Sequence, residues 1–542
     1  LDAVVIALGI AYIFPGSATI LLGTLLLAVA ASAWIGGEEI GLAATAYSVV
    51  ALSILFSSTI DGDALLVFTG GGVVVSTVAR VARRLRTEKI AREIAVAPPV
   101  EVPAVHLPFA VGLPLLVVVL YTNVSDVLIY RYGIPSMLQA VMLVLAAAVW
   151  RYRRLVRPQV ALVHPAVVML ILAALVVFST SIWAKDAGLV DHRLGEFVKC
   201  VIIAVVTASL AASWDALERA LAALVAIAAA LSFVSILQVA TGRFFEIFGG
   251  LLRPQTGNIY GDLELPRASG PPVWDPNFYA RILLIVIPVA ACMALAQRRT
   301  SMRILYALAA LVITGGTFAT YSRGAMITVV IMGGLLLLAM RVPARYFVYA
   351  AIAGVVALIV LPSSLRQRLM SIEAVNEGGV DASVDKRKLL VKTGMAMFDD
   401  NLFFGVGGGH YGREYLKYAN HVGYTELDFH KPGAIEHAHG FYVELGAETG
   451  LAGLFTVCGA FFAALYSAWR SYRALLVDGD TAHARIALSL AVAIAGYMFA
   501  SLALHESYLR YMALYFGLVI GIERAVRGSN SFGHPLAEAH ER

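Results

Sequence analysis

Charge is what this sequence has least of. Asp, Glu, Lys and Arg make up 14% of its 542 residues and hydrophobic residues 60%, whereas soluble domains hold about 25% and about 45–50%. That shortage excludes a soluble multidomain enzyme and an intrinsically disordered chain. Cysteine is scarcer still. Cys200, Cys292 and Cys458 stand far apart, each inside an apolar run, and offer neither a disulfide framework nor a CxxC metal pattern. No basic leader with a small-residue cleavage site occurs, so a removable signal peptide is not expected. The chain opens on Leu1 within a short apolar run, so its natural start is expected further upstream. The ten-residue polar/apolar alternation of membrane β-strands is missing too.

What is there is a succession of apolar runs, many near the roughly 20 residues that cross a hydrocarbon core as a helix. They predict an all-α polytopic membrane protein, with spans near 1–14, 17–35, 41–59, 64–79, 107–121, 135–150, 162–184, 198–213, 219–240, 278–296, 304–319, 325–340, 346–362, 441–469, 486–503 and 511–526. Lys and Arg collect in alternate connections, among them Arg80–Arg92, Arg151–Arg157, Arg298–Arg303 and Arg470–Arg485. The positive-inside rule makes that side cytoplasmic. Both termini are then cytoplasmic, and the longest polar connections of the membrane region, 241–277 and 363–440, face outward, away from ATP and nucleotide sugars. The expected organisation is N-terminal transmembrane helices over 1–80 and a basic, Pro-rich cytoplasmic linker over 81–105. The first part of a transmembrane core follows over 106–362, then a large periplasmic loop over 363–440. The last three helices occupy 441–527 and a cytoplasmic tail 528–542. No internal repeat is visible, which argues against a transporter or flippase.

The chemistry-bearing residues gather on the outward side. His439 precedes Gly446, Gly450 and Gly453 in a stretch that, if helical, sets all four on one face for close backbone approach. An imidazole of pKa near 6.5 at the membrane boundary suits taking a proton from a hydroxyl. The same residues also read as a helix-start histidine above a packing stripe. His437 and His439 form an HxH pair whose side chains diverge on a helix, so no metal site is expected. Arg323, Arg267, Arg281 (one turn beyond Asn277) and Arg387 lie at outer boundaries or in the large loop. Converging guanidinium forks would suit a diphosphate; lipid-headgroup snorkelling and internal ion pairs are the plain alternatives for each. The run Gly405–Gly409, with Gly407 at its centre, can form an anion-binding nest or a tight turn. It lacks the Lys-Ser/Thr of a P-loop.

Taken together, these pieces resemble the O-antigen ligase and polymerase superfamily of bacterial polysaccharide assembly. The resemblance spans about residues 105–526. In order it rests on Arg267-Ala268-Ser269-Gly270 with Asp275-Pro276-Asn277, Ser322-Arg323-Gly324, Arg387 ahead of Met397-Phe398, Gly405-Val406-Gly407-Gly408-Gly409, and His439 followed by Gly450 and Gly453. Gly440 stands where the family commonly has Asn, Ser or Gln, so either His437 or His439 can be the active histidine.

The resemblance implies a GT-C-like, all-α protein of about 16 transmembrane helices, a 12-helix core plus 4, in the bacterial inner membrane with its active site facing the periplasm. It further implies an inverting, metal-independent glycosyltransferase without cofactor. The donor would be a polyprenyl-diphosphate-linked saccharide and the acceptor a glycan or lipid A core, or a protein hydroxyl. Membrane lipids are expected partners and nucleic acid is not. On this resemblance His439 would deprotonate the acceptor, Arg323 and Arg387 would hold the diphosphate, Arg267 would support them, and Glu436 or Glu444 would orient the imidazole. Arg281, Asn277, His437 and Gly407 complete the expected substrate-binding set.

Overall fold

The computed structural model describes residues 107–122, 136–241, 253–260, 263–270, 275–343, 382–422, 436–504 and 509–530, with a few isolated positions between them. The four N-terminal spans, the basic linker, the span at 346–362, residues 363–381 and 423–435 of the large loop (His430 included) and most of the tail lie outside the described residues.

The longer helices among the described residues are α1 (Leu107–Thr122), α2 (Met137–Arg151), α3 (Pro165–Ser179), α4 (Ala187–Leu210), α5 (Trp214–Thr241), α6 (Pro276–Leu284), α7 (Ile287–Ala296), α8 (Thr300–Ala319), α9 (Arg323–Ala339), α10 (Ala382–Asp400), α11 (Tyr411–His421), α12 (Phe441–Val477), α13 (Thr481–Ala500) and α14 (Arg510–Asn530). Among the described residues six helical stretches are long and apolar enough to cross a membrane: Pro165–Ile182, Trp214–Thr241, Pro276–Ala296, Thr300–Ala319, Phe441–Val477 and Thr481–Ala500. Shorter apolar helices cover Val111–Thr122, Met137–Arg151 and Arg323–Ala339.

Caps decide where several of these helices begin. Asp186 accepts the Gly188 N–H at the start of α4, Asp275 those of Asn277 and Phe278 in α6, and Asp480 that of His483 in α13, each satisfying donors the first turn leaves over. The Asp186 cap explains why α4 starts at Ala187 and not near 198, where its apolar stretch begins. The single span expected at 278–296 is two helices, α6 and α7, because Pro288 enters the first turn of α7 and cannot continue the hydrogen-bond ladder from α6.

At the centre α12 packs on α3, α13, α10 and α14; α14 lies along α4, α5 along α8 and α1, and α7 between α8 and α13. The α4–α14 contact is close because Gly517 and Gly521, one turn apart, face Thr207 and Ala211. A Cβ on Gly521 would sit 2.5 Å from that of Ala211, the small-residue spacing that lets membrane helices approach.

Two features depart from the sequence expectation. The connection 241–277 holds an antiparallel hairpin, β1 (Arg253–Tyr260) with β2 (Leu263–Ser269), in the register Gln255 to Arg267. Pro254 and Pro266 obscured it; a lone pair of strands tolerates proline because each strand is an edge. And α12 is 37 residues long, about 55 Å at 1.5 Å per residue, far beyond a hydrocarbon core of about 30 Å. It is broken at Gly450 (φ 64°, ψ −160°), a backbone conformation that essentially only glycine adopts.

Candidate active site

The site is built around the start of α12. Glu436–Gly440 forms a strap leading into the helix, with Gly440 at its cap. Glu444, 0% exposed, sits one turn inside and gathers the strap to it. Its Oε2 accepts the Ala438 N–H (3.0 Å), and its Oε1 lies 3.2 Å from His437 Nδ1 and 3.2 Å from Arg193 Nη2. Arg193, from α4, also donates through Nε (3.1 Å) and Nη2 (2.8 Å) to Glu448 Oε2. Glu448 Oε1 accepts the N–H of Tyr411, where α11 begins. One guanidinium thus pairs with two buried carboxylates, giving each the partner a buried charge requires.

This arrangement separates the two histidines. Burial disfavours a charged His437 ring, but the hydrogen bond and charge of Glu444 outweigh that and raise its pKa. His439 is pushed the other way, down to about 4, first by burial and then by the nearby Arg387, against the attraction of Asp275. At neutral pH His439 is therefore uncharged, while Glu444 shifts His437 toward its protonated form. His439 also holds φ at +49°, a left-handed conformation uncommon for any residue but glycine. It lies ahead of the helix and not on it, so the single face shared with Gly446, Gly450 and Gly453 does not exist.

Arg387 reaches the site on α10, whose Gly394 lies against Val443, Tyr411 and Ala438. Leu389, Leu390 and Met397 pack there with Tyr411, Tyr415, Ala438 and Ala447 in a small core of their own. Tyr411 Oη closes it with a 2.6 Å bond to the Leu390 carbonyl. The large loop is thus docked on α12.

A second wall comes from the turn after α13. The Ser501 carbonyl accepts the Phe441 N–H (3.0 Å), Leu502 touches Gly440, and Ala503 lies against Gly324, next to Arg323 at the start of α9. Tyr321, two residues before Arg323, is likewise left-handed at φ +54°; such strain concentrates at functional sites. Arg267 donates to the Thr320 carbonyl (2.9 Å) and to Asn277 Oδ1 (3.0 Å). It thereby joins the hairpin, α6 and the α8–α9 turn. Asp275, whose charge reaches His439, caps the same α6.

Two expected substrate contacts turn out otherwise. Arg281 is 2% exposed, packed over the rings of Phe278 and Tyr497 (4.9 and 4.6 Å), with Nη1 3.3 Å from Ser501 Oγ. In this structure it braces the turn after α13 through Ser501. The glycine run is not a nest. The N–H groups of Gly405, Val406, Gly407 and Gly408 go to Asn401 O, Ala447 O, Glu448 O and Thr180 Oγ1, and the Trp183 indole donates to Gly405 O. The run plugs the break in α12: Leu451 and Ala452 N–H donate to the Leu402 and Phe403 carbonyls. A Cβ on Gly450 would come within 2.3 Å of the Phe403 backbone. His410, also fully buried, is tied to Gly408 O and the Asp186 N–H and serves the same plug.

The structure therefore brings together His439, His437, Glu444, Arg387 and Asp275, and joins Arg267, Asn277 and Arg323 through the 320–324 turn. Arg193, Glu448, Asp275 and Ser501 had no assigned role. Arg193 offered little signal, being one cation in a mixed polar stretch ahead of an apolar one. Among the described residues no group of three or more His, Cys, Asp or Glu side chains is placed to share a metal ion.

Residues 307–458 match a family model described as O-antigen ligase. The matched segment runs from α8 through Arg323, Arg387, the strap and the break in α12, and supports the superfamily resemblance read from the sequence. No curated protein matches the chain.

Proposed function

Starting from a chain whose residues 307–458 carry the pattern of the O-antigen ligase family, we propose that it transfers a saccharide from a polyprenyl-diphosphate donor to an acceptor hydroxyl at the outer face of the bacterial inner membrane. The observation that carries this reading is the strap gathered by Glu444, which sets His439 ahead of α12 inside the matched segment, with Arg387 near enough for its charge to act on the ring. In one inverting step the acceptor oxygen bonds to the anomeric carbon as its proton passes to His439. The bond from that carbon to the diphosphate oxygen breaks, and the electron pair leaves with the lipid diphosphate. Arg387 and Arg323 stabilise the charge growing there, where scarce water strengthens the interaction. Arg267 holds Asn277 and the 320–324 turn in register. His437 lies against Glu444 and anchors the strap, which favours His439 as the base. The reaction as proposed uses no metal, and the architecture is the GT-C-like one of about 16 helices.

The end of a growing polysaccharide is the favoured acceptor, with lipid A core and a protein hydroxyl as the other two. Purified chain in nanodiscs, given a polyprenyl-diphosphate-linked oligosaccharide and each acceptor in turn, tests the proposal. Transfer by the wild type and its loss in His439→Ala are expected, and the acceptor that is glycosylated names the activity. Movement of the donor across proteoliposomes with no transfer to any acceptor would instead make the protein a carrier.

A further inference from the structure

The break in α12 does more than bend a helix. From Leu451 to Arg470 is 19 steps, about 28 Å at 1.5 Å per residue, close to the hydrocarbon thickness of about 30 Å. The ten residues before the break, which carry Glu444 and Glu448, then stand above the hydrocarbon, with His439 about 15 Å beyond Gly450 along the helix. A second element marks the same level. The candidate span Pro165–Ile182 ends next to Trp183, whose ring lies 5.9 Å from that of Phe404.

At this level the plug turns its apolar side chains outward. Phe403 is 66% and Phe404 55% exposed, beside exposed Leu402, Ile182 and Trp183. Directly along α12 the exposed face continues through Leu451, Phe455 (71%), Phe462 and Tyr466, the face a spanning helix shows to lipid. On the opposite side of the plug the surface turns polar at once, with the half-exposed pair Arg413–Asp186 and the exposed Lys185 on Glu414. Aromatic rings below a rim of charge are the pattern of a membrane interface.

We propose that Leu402–Phe404, with Ile182 and Trp183, insert into the lipid interface of the leaflet on the His439 side. This segment of the large loop is a membrane anchor. Because its backbone fills the α12 break, it fixes how far the strap stands above the bilayer. The partner is bulk phospholipid, whose acyl region continues along the face of α12. This placement does not depend on which reaction the site performs.

The test is electron paramagnetic resonance depth measurement on the full chain in phosphatidylethanolamine/phosphatidylglycerol nanodiscs. Cys458→Ala provides the background, since Cys200 and Cys292 are buried. A nitroxide at position 403 should relax strongly with oxygen and weakly with a water-soluble nickel chelate, and one at position 413 the reverse. Equal access of the chelate to both positions would overturn the proposal. A label at 404 gives the same reading should the 403 variant not fold. Adding polyprenyl diphosphate should leave the 403 signal unchanged; immobilisation of the label would mean that the surface holds the donor's tail and not bulk lipid, and would overturn the choice of partner.

Discussion

Two buried glutamates organise polar clusters at opposite ends of the bundle, one at a helix junction and the other at the strap that leads into α12. Glu523, on α14, receives Arg470 at 2.6 Å, Arg527 and the His164 ring at 3.2 Å. The other nitrogen of His164 accepts the Ala166 N–H, and Ser467 lies 3.0 Å from Nε2. Every polar atom of that imidazole is engaged in holding α3, α12 and α14 together. Glu444, about 35 Å away along α12, is as fully engaged, by Arg193, His437 and the Ala438 N–H. What it holds, however, is a strap, and the next residue is His439, half-buried and facing a cation. The same device locks a helix junction at one end and positions the proposed base at the other. The difference lies in two residues of left-handed or capping backbone, His439 and Gly440, not in the carboxylates.

The largest effect that could break this contrast is kinetic. A positioned base contributes about 10²–10⁴-fold, so His439→Ala should lower turnover by that factor with the fold intact. His164→Ala should leave turnover of the folded protein within a few-fold and lower its melting temperature. Comparable losses of turnover in both variants, at equal folded fraction, would erase the distinction between the two ends.

A second contrast is in stability. Arg193 is shared by Glu444 and Glu448, both buried. Removing one partner of a buried ion pair costs about 3–5 kcal/mol, and Arg193→Ala should approach that in denaturation of the solubilised chain. Arg193→Lys should recover part of the stability, restoring charge without the fork. Arg470 is half-exposed and leaves Glu523 the Arg527 guanidinium and the His164 ring as partners, so Arg470→Ala should cost no more than about 1 kcal/mol. Equal losses would mean that Arg193 is not what keeps the strap in place.

Much of this was legible in the sequence, and the illegible part has physical reasons. Apolar runs located the helices because a span must be continuous in composition, and α5, α8 and α9 begin and end within a few residues of expectation. Cap-determined starts were invisible to hydropathy: α4 begins eleven residues before its apolar stretch because of Asp186. His439, Arg387 and Arg323 stood out as polar groups at apolar boundaries. Arg193 did not, since its meaning depends on two glutamates some 250 positions away, and no local pattern encodes such a pairing. The glycine run was ambiguous for a related reason. Its positive φ angles suit an anion nest and a backbone plug equally well, and only the carbonyls of Ala447 and Glu448 decide between them.

The smallest effect tests the electrostatics directly. In the free protein burial, and after it Arg387, hold the pKa of His439 down to about 4, so the proposed base stays deprotonated, and kcat/KM should remain flat as pH falls through 6.5, dropping only near 4. A bound diphosphate places negative charge beside Arg387 and offsets its repulsion of a proton on His439. The protonated form then becomes more accessible, and the acid limb of kcat, which reports the complex, should lie above that of kcat/KM by about one pH unit or more. Arg387→Gln should raise the kcat/KM limb toward the ordinary histidine value and shrink the gap between the two profiles, while Arg470→Gln at the opposite end should move neither. Coincident limbs near 6.5 in the wild type would mean that Arg387 does not act on His439, and that the two ends of the bundle differ in shape but not in charge.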